Sequence, residues 1–237
     1  MRSIWRTLTP SLRRDTLAMA SAIAVVGVSF GAIAVSSGLD WWMPSALSVL
    51  VFAGGSQFMV VGVLAAGGGV FAAVAGALVL NARHLPFGLA VGDIMGRGLV
   101  ARMVGSHLLI DESVAFAMAQ KDDPKRARAV FWFLGLLAFV VWNLGTIAGA
   151  AVGQVIGDTD AFGLDAAFPA ALLALVLPSL KKARPRNAAL LGAVVALATT
   201  PFLPAGVPVL LALVGLAVLL PTPKRPAKAE QDAEVPA

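Results

Sequence analysis

Side chains able to do chemistry are scarce in this chain, and they gather in three short stretches. The first is Gly54-Gly55-Ser56-Gln57, set inside an apolar run from Pro44 to Ala66. In hydrocarbon, unwound backbone is tolerated only where it is buried in protein or lines a wet cavity, so a glycine pair followed by a hydroxyl and an amide reads as a site. Amides freed by the break, with the side chains of Ser56 and Gln57, would bind the carboxylate or ammonium group of a zwitterion. The competing account is close helix packing, in which glycine and serine admit a neighbouring backbone. Gly-Gly followed by Gln breaks a helix more than packing requires.

The second stretch is Asn81-Ala82-Arg83-His84-Leu85-Pro86, at the end of an apolar run. An arginine there either snorkels to the interface or serves the interior, and an ionisable residue at membrane depth is by default a functional one. Arg83 could hold a substrate carboxylate or pair with Asp111 or Glu112, while Asn81 and His84, three apart, share a helix face. Pro86 lacks an amide donor and clashes one turn back, so it kinks or ends the helix locally. The third stretch holds His107, Asp111 and Glu112. Read as one helix, it puts His107 and Asp111 on one face, and two carboxylates beside a histidine could relay protons.

Other chemistries lack their residues. A phosphate-cradling loop would need a terminal Lys-Ser/Thr after the glycines, which is absent. Gly-x-Ser-x-Gly is missing, and Gly92-Asp93 follows Ala90-Val91, without the preceding glycine that an intramembrane Gly-x-Gly-Asp protease carries. His84, His107 and a carboxylate have no metal-ligand spacing. Neither catalysis, a metal nor a cofactor is expected.

The elements that must position these residues are membrane helices. Of 237 residues, 59% are hydrophobic and 13% charged, and the mean hydropathy is +0.86. A soluble domain carries roughly 25% charged residues. With no cysteine there are no disulfides or thiolate metal sites. The net charge of +5 comes from short basic clusters between apolar runs, which are topology signals and not a nucleic-acid surface.

At about 20 residues per span, the chain has room for about eight. They fall near 17–36, 44–66, 70–91, 99–119, 129–152, 168–180, 187–202 and 207–220; if 99–119 lies at the interface, there are seven. The basic N-terminus, the loop Lys121 to Arg128 and the cluster Lys181 to Arg186 belong in the cytoplasm, whereas the loops around Asp40 and around Asp158 to Asp165 carry no Lys or Arg and belong outside. Eight spans put both termini in the cytoplasm. Gly27 and Gly31 have the Gly-x-x-x-Gly spacing of close helix approach, and 129–152 is also rich in small residues. Trp132, Trp142 and Asn143 there suit packing and interfacial-belt roles.

Leu39-Asp40-Trp41-Trp42-Met43-Pro44-Ser45-Ala46-Leu47 matches Leu164-Asp165-Ala166-Ala167-Phe168-Pro169-Ala170-Ala171-Leu172, and the same register lands Ala53-Gly54 on Pro178-Ser179. Paired breaks in two halves point to a transporter site between repeats, here 17–119 and 129–220. The fold class is thus all-α: one polytopic transmembrane bundle over 1–221 with broken helices, followed by a disordered cytoplasmic tail, 222–237, rich in Pro, Lys and Glu.

Phe52-Ala53-Gly54-Gly55-Ser56-Gln57-Phe58, Asn81-Ala82-Arg83-His84-Leu85, Asp111-Glu112-Ser113, Trp142-Asn143-Leu144-Gly145-Thr146 and Leu164-Asp165-Ala166-Ala167-Phe168-Pro169 together resemble the AzlC family, the large subunit of branched-chain amino acid exporters. The resemblance covers about residues 15 to 220. It implies export of leucine, isoleucine, valine and methionine across the cytoplasmic membrane, with a small AzlD-like membrane subunit as partner. Gly54, Gly55, Ser56, Gln57, Asn81, Arg83 and His84 are then the expected substrate contacts, and Asp111 or Glu112 the proton carrier. An exporter of another small solute and a membrane assembly subunit without transport are the alternatives.

Overall fold

The computed structural model describes residues 7–155, 173, 176–177, 179–203 and 206–219, and among these there are helices and no strand. The helices are α1 (Pro10–Ser36), α2 (Trp42–Leu50), α3 (Gly54–Ala65), α4 (Val70–Asn81), α5 (His84–Met95), α6 (Leu99–His107), α7 (Asp111–Met118), α8 (Pro124–Val155), α9 (Ala183–Thr199) and α10 (Val207–Leu211), the last running into a 3-10 segment, Ala212–Leu219. The second member of the Leu-Asp repeat, 164–172, and Pro178 lie outside the described residues, as do 168–172 of the sixth expected span and the tail.

Two helices, α1 and α8, are each long and apolar enough to cross a membrane, and α4 with α5 passes the same test as one pair bent by 45°. Both long helices begin earlier than hydropathy alone suggests, because their starts are built from capping residues. Thr9 Oγ1 accepts from the Leu12 amide at 3.2 Å with Pro10 opening the helix, and Asp123 Oδ1 accepts from the Arg126 amide at 3.1 Å ahead of Pro124. A proline in the first turn gives up an amide that has no helical acceptor in any case.

α1 and α8 form the most extensive helix pair in the described fold. Glycines on both let the backbones touch. A Cβ added to Gly27 would lie 2.9 Å from the Trp142 carbonyl oxygen, and one on Gly31 would run into Thr146 and Ala150. From the other side, Gly145 faces Ala24, Gly149 faces Val28 and Ala32, and Gly153 faces Ala32 and Val35. Residue numbers rise together along both helices, so they run parallel, and their basic beginnings, Arg13-Arg14 and Lys125 to Arg128, sit at one end. Gly192 and Gly215 make a smaller version of this contact between α9 and the final 3-10 segment.

The runs expected as single spans at 44–66, 70–91 and 99–119 are each divided. α2 and α3 are separated by 51–53, α4 and α5 by 82–83, and α6 and α7 by 108–110. Neither half of the first or third run can cross a bilayer alone, since 12 residues reach about 18 Å at 1.5 Å per residue. The seventh expected span is shifted, with α9 starting inside the basic cluster at Ala183, while the eighth, expected at 207–220, is met by α10 and its 3-10 continuation from Ala212 to Leu219. Side chains facing away from the core are large and apolar, among them Phe71, Leu78, Leu85 and Leu89, as a lipid-facing surface requires.

Candidate functional site

The first break does not lie where the glycines are. Unwinding falls on Val51, Phe52 and Ala53, while Gly54 and Gly55 open α3 as its first helical residues. Phe52 takes φ of 39°, a left-handed conformation that is strained for a bulky side chain and costs about 1–3 kcal/mol. Packing holds it there: the ring is buried, edge-on to Phe139 at 5.0 Å and tilted against His107 at 6.1 Å.

The glycines serve approach from two sides. A Cβ on Gly54 would lie 3.0 Å from Cη2 of Trp142, and one on Gly55 would lie 3.3 Å from Nη2 of Arg83. Trp142, expected in a packing and belt role, is buried, and its ring stacks on Phe30 at 5.7 Å; Phe30 in turn meets Phe58 edge-on at 5.2 Å. Ser56 is fully buried, and its hydroxyl donates to the Ala53 carbonyl at 2.8 Å, closing the first turn of α3 while its lone pairs remain able to accept. Gln57 is fully buried as well, and neither its amide nitrogen nor its oxygen has a hydrogen-bond partner among the described residues. An unpaired buried amide costs about 1–3 kcal/mol.

The second break falls at Ala82 and Arg83, one turn before Pro86. The proline ring clashes with the carbonyl four residues earlier, that of Ala82, while Pro86 itself fits the first turn of α5. Asn81 and His84 are therefore on different helices, not on one face. They remain in contact, His84 Nδ1 donating to the Asn81 carbonyl at 2.9 Å. The buried Asn81 Oδ1 has no partner among the described residues.

Arg83, released from both helices, reaches across to the third break. Its Nη1 lies 3.1 Å from Oδ2 of Asp111, with both side chains partly exposed. The pairing read from sequence is present, and it is made with Asp111. His107 and Asp111 do not share a helix face: His107 ends α6, Asp111 begins α7, and Leu108 to Ile110 between them are non-helical. His107 turns instead to Phe52 and Phe139.

Ser113, which carried no role in the sequence reading beyond family resemblance, fixes that break. Its buried hydroxyl accepts from the Ile110 amide at 3.0 Å and donates toward the carbonyls of Leu108 and Ile110, at 3.1 and 3.0 Å. Asp111 and Glu112 then stand in the first turn of α7, where the helix dipole favours anions. Replacing Ser113 by alanine is expected to destabilise the protein by about 1–3 kcal/mol, the cost of orphaning the buried Ile110 amide. Thermal unfolding in detergent checks this, and an unchanged melting temperature would show the cap to be dispensable.

The arrangement thus joins three helix breaks through one guanidinium, with Gly55 on one side and Asp111 on the other. It offers a cation, an anion, an unpaired buried amide and the first turn of α3, whose leading amides have no intrahelical acceptor. Those are the complements of a zwitterion. Asp111 and Glu112 are the carboxylates at hand, but only Asp111 is ion-paired to Arg83.

Comparison with known proteins places the chain in a family. The AzlC protein family matches residues 18–156, which run from α1 through the end of α8 and include every site residue named above. An uncharacterized membrane protein of Helicobacter pylori is 25% identical over 184 residues, covering 76% of this chain and 79% of that protein. The inner membrane protein YgaZ of Escherichia coli is 27% identical over 175 residues, covering 70% and 67% respectively. The branched-chain amino acid transport protein AzlC of Bacillus subtilis is 24% identical over 215 residues, covering 88% and 83%. No solved structure matches. With more than half of the chain matched and its apolar helices packed as described, this membrane protein belongs to the AzlC family.

Proposed function

We propose that the protein is a secondary transporter that exports branched-chain amino acids, with leucine, isoleucine, valine and methionine as substrates. One observation carries this reading. Arg83, freed by a broken helix, lies against the first turn of a second broken helix and is paired to Asp111. Broken helices that meet at polar groups are how membrane carriers bind small charged solutes. The substrate carboxylate goes to Arg83 and the α3 amides, and Gln57 supplies an amide donor or acceptor. Apolar side chains of the bundle take the aliphatic group. The name of the B. subtilis relative supports the choice of substrate.

Protons supply the driving force, with Asp111 or Glu112 as carrier, and the protein carries out no bond chemistry. A small AzlD-like membrane subunit is the partner. The broken pairs act as spans in a bundle of eight, with both termini in the cytoplasm. The parallel packing of α1 and α8 supports that orientation, because it gathers the basic ends on one face. It also suits repeats over 17–119 and 129–220 related by an axis along the membrane normal, which would set their first helices parallel.

Efflux of labelled leucine from cells or proteoliposomes containing the chain and its small membrane subunit tests the reading. The wild type is expected to release leucine, and Gln57→Ala to lower the rate about tenfold, as the loss of a hydrogen bond of about 1.5 kcal/mol implies. No leucine flux under any gradient, or normal flux in Gln57→Ala, would count against the reading or its site respectively.

A further inference from the structure

We propose that the Arg83–Asp111 ion pair is a latch opened by the substrate zwitterion, whose carboxylate takes Arg83 while its ammonium takes Asp111, so that a substrate ammonium and a proton compete for one carboxylate. The inference rests on the transport reading above and adds to it how substrate and proton are exchanged.

The pair has the charges of the ligand it would admit. At 3.1 Å it is closed, yet its side chains are 34% and 45% exposed, so neither charge is enclosed by the protein. Replacing one carboxylate on Arg83 by another, and one cation on Asp111 by another, leaves each protein charge with one partner, so neither is left unpaired when the latch opens. Its position allows opening. Arg83 lies in the two-residue break between α4 and α5, and Asp111 directly follows the break at 108–110, so the two groups can part without disrupting a helix interior. Gly55 matters here: with no side chain, it lets the guanidinium lie beside the leading amides of α3, where a bound carboxylate is also favoured.

Asp111 is the carboxylate paired to Arg83, and other charged groups stand near it. Glu112 is its neighbour in α7. On α5, His84 is engaged with the Asn81 carbonyl and Asp93 lies near the opposite end. On α8, Arg126 is paired with Asp123 at 3.4 Å, Arg128 lies against Gly96, and Lys125 is in the first turn. A proton from water that binds the Asp111 carboxylate cancels the charge holding the ammonium, and the amino acid leaves. Loss of that proton restores the anion, which takes either Arg83 or the next ammonium. One proton and one zwitterion alternate, no covalent bond of the substrate changes, and the result is exchange rather than co-transport.

Binding of labelled leucine to the purified full chain with its partner subunit, measured across pH, tests the proposal. For the wild type, leucine is expected to bind more weakly on acidification, and neither 4-methylpentanoate, which lacks the ammonium, nor 3-methylbutylamine, which lacks the carboxylate, should compete within about tenfold of leucine. Asp111→Asn should bind leucine at least about tenfold more weakly, lose the pH dependence, and no longer discriminate against 4-methylpentanoate. Leucine binding that strengthens on acidification, or equal competition by 4-methylpentanoate in the wild type, overturns the latch without any variant having to fold, while the transport reading stands. Asp111→Asn that keeps both pH dependence and discrimination overturns it as well. No leucine binding to the wild type at any pH overturns the transport reading, and the latch with it.

Discussion

Leucine efflux is expected to fall at least about 100-fold in Arg83→Ala, while the protein still reaches the membrane in normal amount. Two separate effects lie behind this expectation. Charge-assisted hydrogen bonds to a carboxylate contribute about 1.5–3 kcal/mol each, and a guanidinium can offer two, so losing them costs transport about 3 kcal/mol even at the low end, or about two decades. The same side chain has a smaller part in the fold, because both members of its pair are partly exposed and Asp111 stays in the first turn of α7, where the helix dipole favours an anion. Arg83→Lys keeps the charge and loses the fork, and about a tenfold loss is expected. Efflux assays paired with quantitative immunoblots of membrane fractions separate the two effects. Wild-type efflux in Arg83→Ala would remove Arg83 from the site.

That a break lies within Phe52 to Phe58 could be read directly from the sequence, because Gly-Gly-Ser-Gln interrupts an apolar run and nothing in a lipid-facing helix calls for it. Its exact place could not. The residue in left-handed conformation is Phe52, held by Phe139 and His107, and such a conformation depends on contacts made more than 50 residues away in the chain. The break at 108–110 was missed for a different reason. Leu108-Leu109-Ile110 contains no glycine or proline, so an apolar helix reads straight through it. The available signal was Asp111-Glu112-Ser113, since acidic residues and a serine mark a helix start as readily as they mark a proton relay. Likewise Asp123-Pro124, an N-cap followed by a first-turn proline, foretells the early start of α8. Composition was enough for the membrane class, and the cost of a lone charge at membrane depth made Asp111 one of the partners open to Arg83, beside Glu112 and a substrate carboxylate. The approach of Arg83 to Gly55 is tertiary and has no local signature.

The largest structural effect is expected at the glycine stripe between α1 and α8. A Cβ on Gly149 would meet the backbone carbonyl of Val28 and lie 2.9 Å from the Ala32 amide nitrogen, and one on Gly145 would lie 2.6 Å from the Ala24 carbonyl oxygen. These are backbone atoms, with no rotamer to relieve the collision, so the helices must move apart. In a membrane the loss is not offset by the hydrophobic effect, because lipid is as apolar as the partner helix and association depends on close packing and interhelical bonds. Overpacking in a core costs about 1–3 kcal/mol even where side chains can shift, and a backbone collision belongs at or beyond the upper end. Gly149→Leu is therefore expected to lower the melting temperature sharply or to abolish recovery of monodisperse protein. Gly92→Ala, on α5 with nothing within 4 Å of the added methyl, should melt at or slightly above the wild-type temperature, since alanine favours a helix by up to about 1 kcal/mol over glycine. Because Trp142 lies on the same helix as Gly145 and Gly149 and stacks on Phe30 of α1, separating the helices also removes the wall behind Gly54. A milder variant, Gly145→Ala, should accordingly lose leucine efflux before it loses its fold; a Gly145→Ala protein that melts lower yet transports normally would show that the stripe and the site are independent.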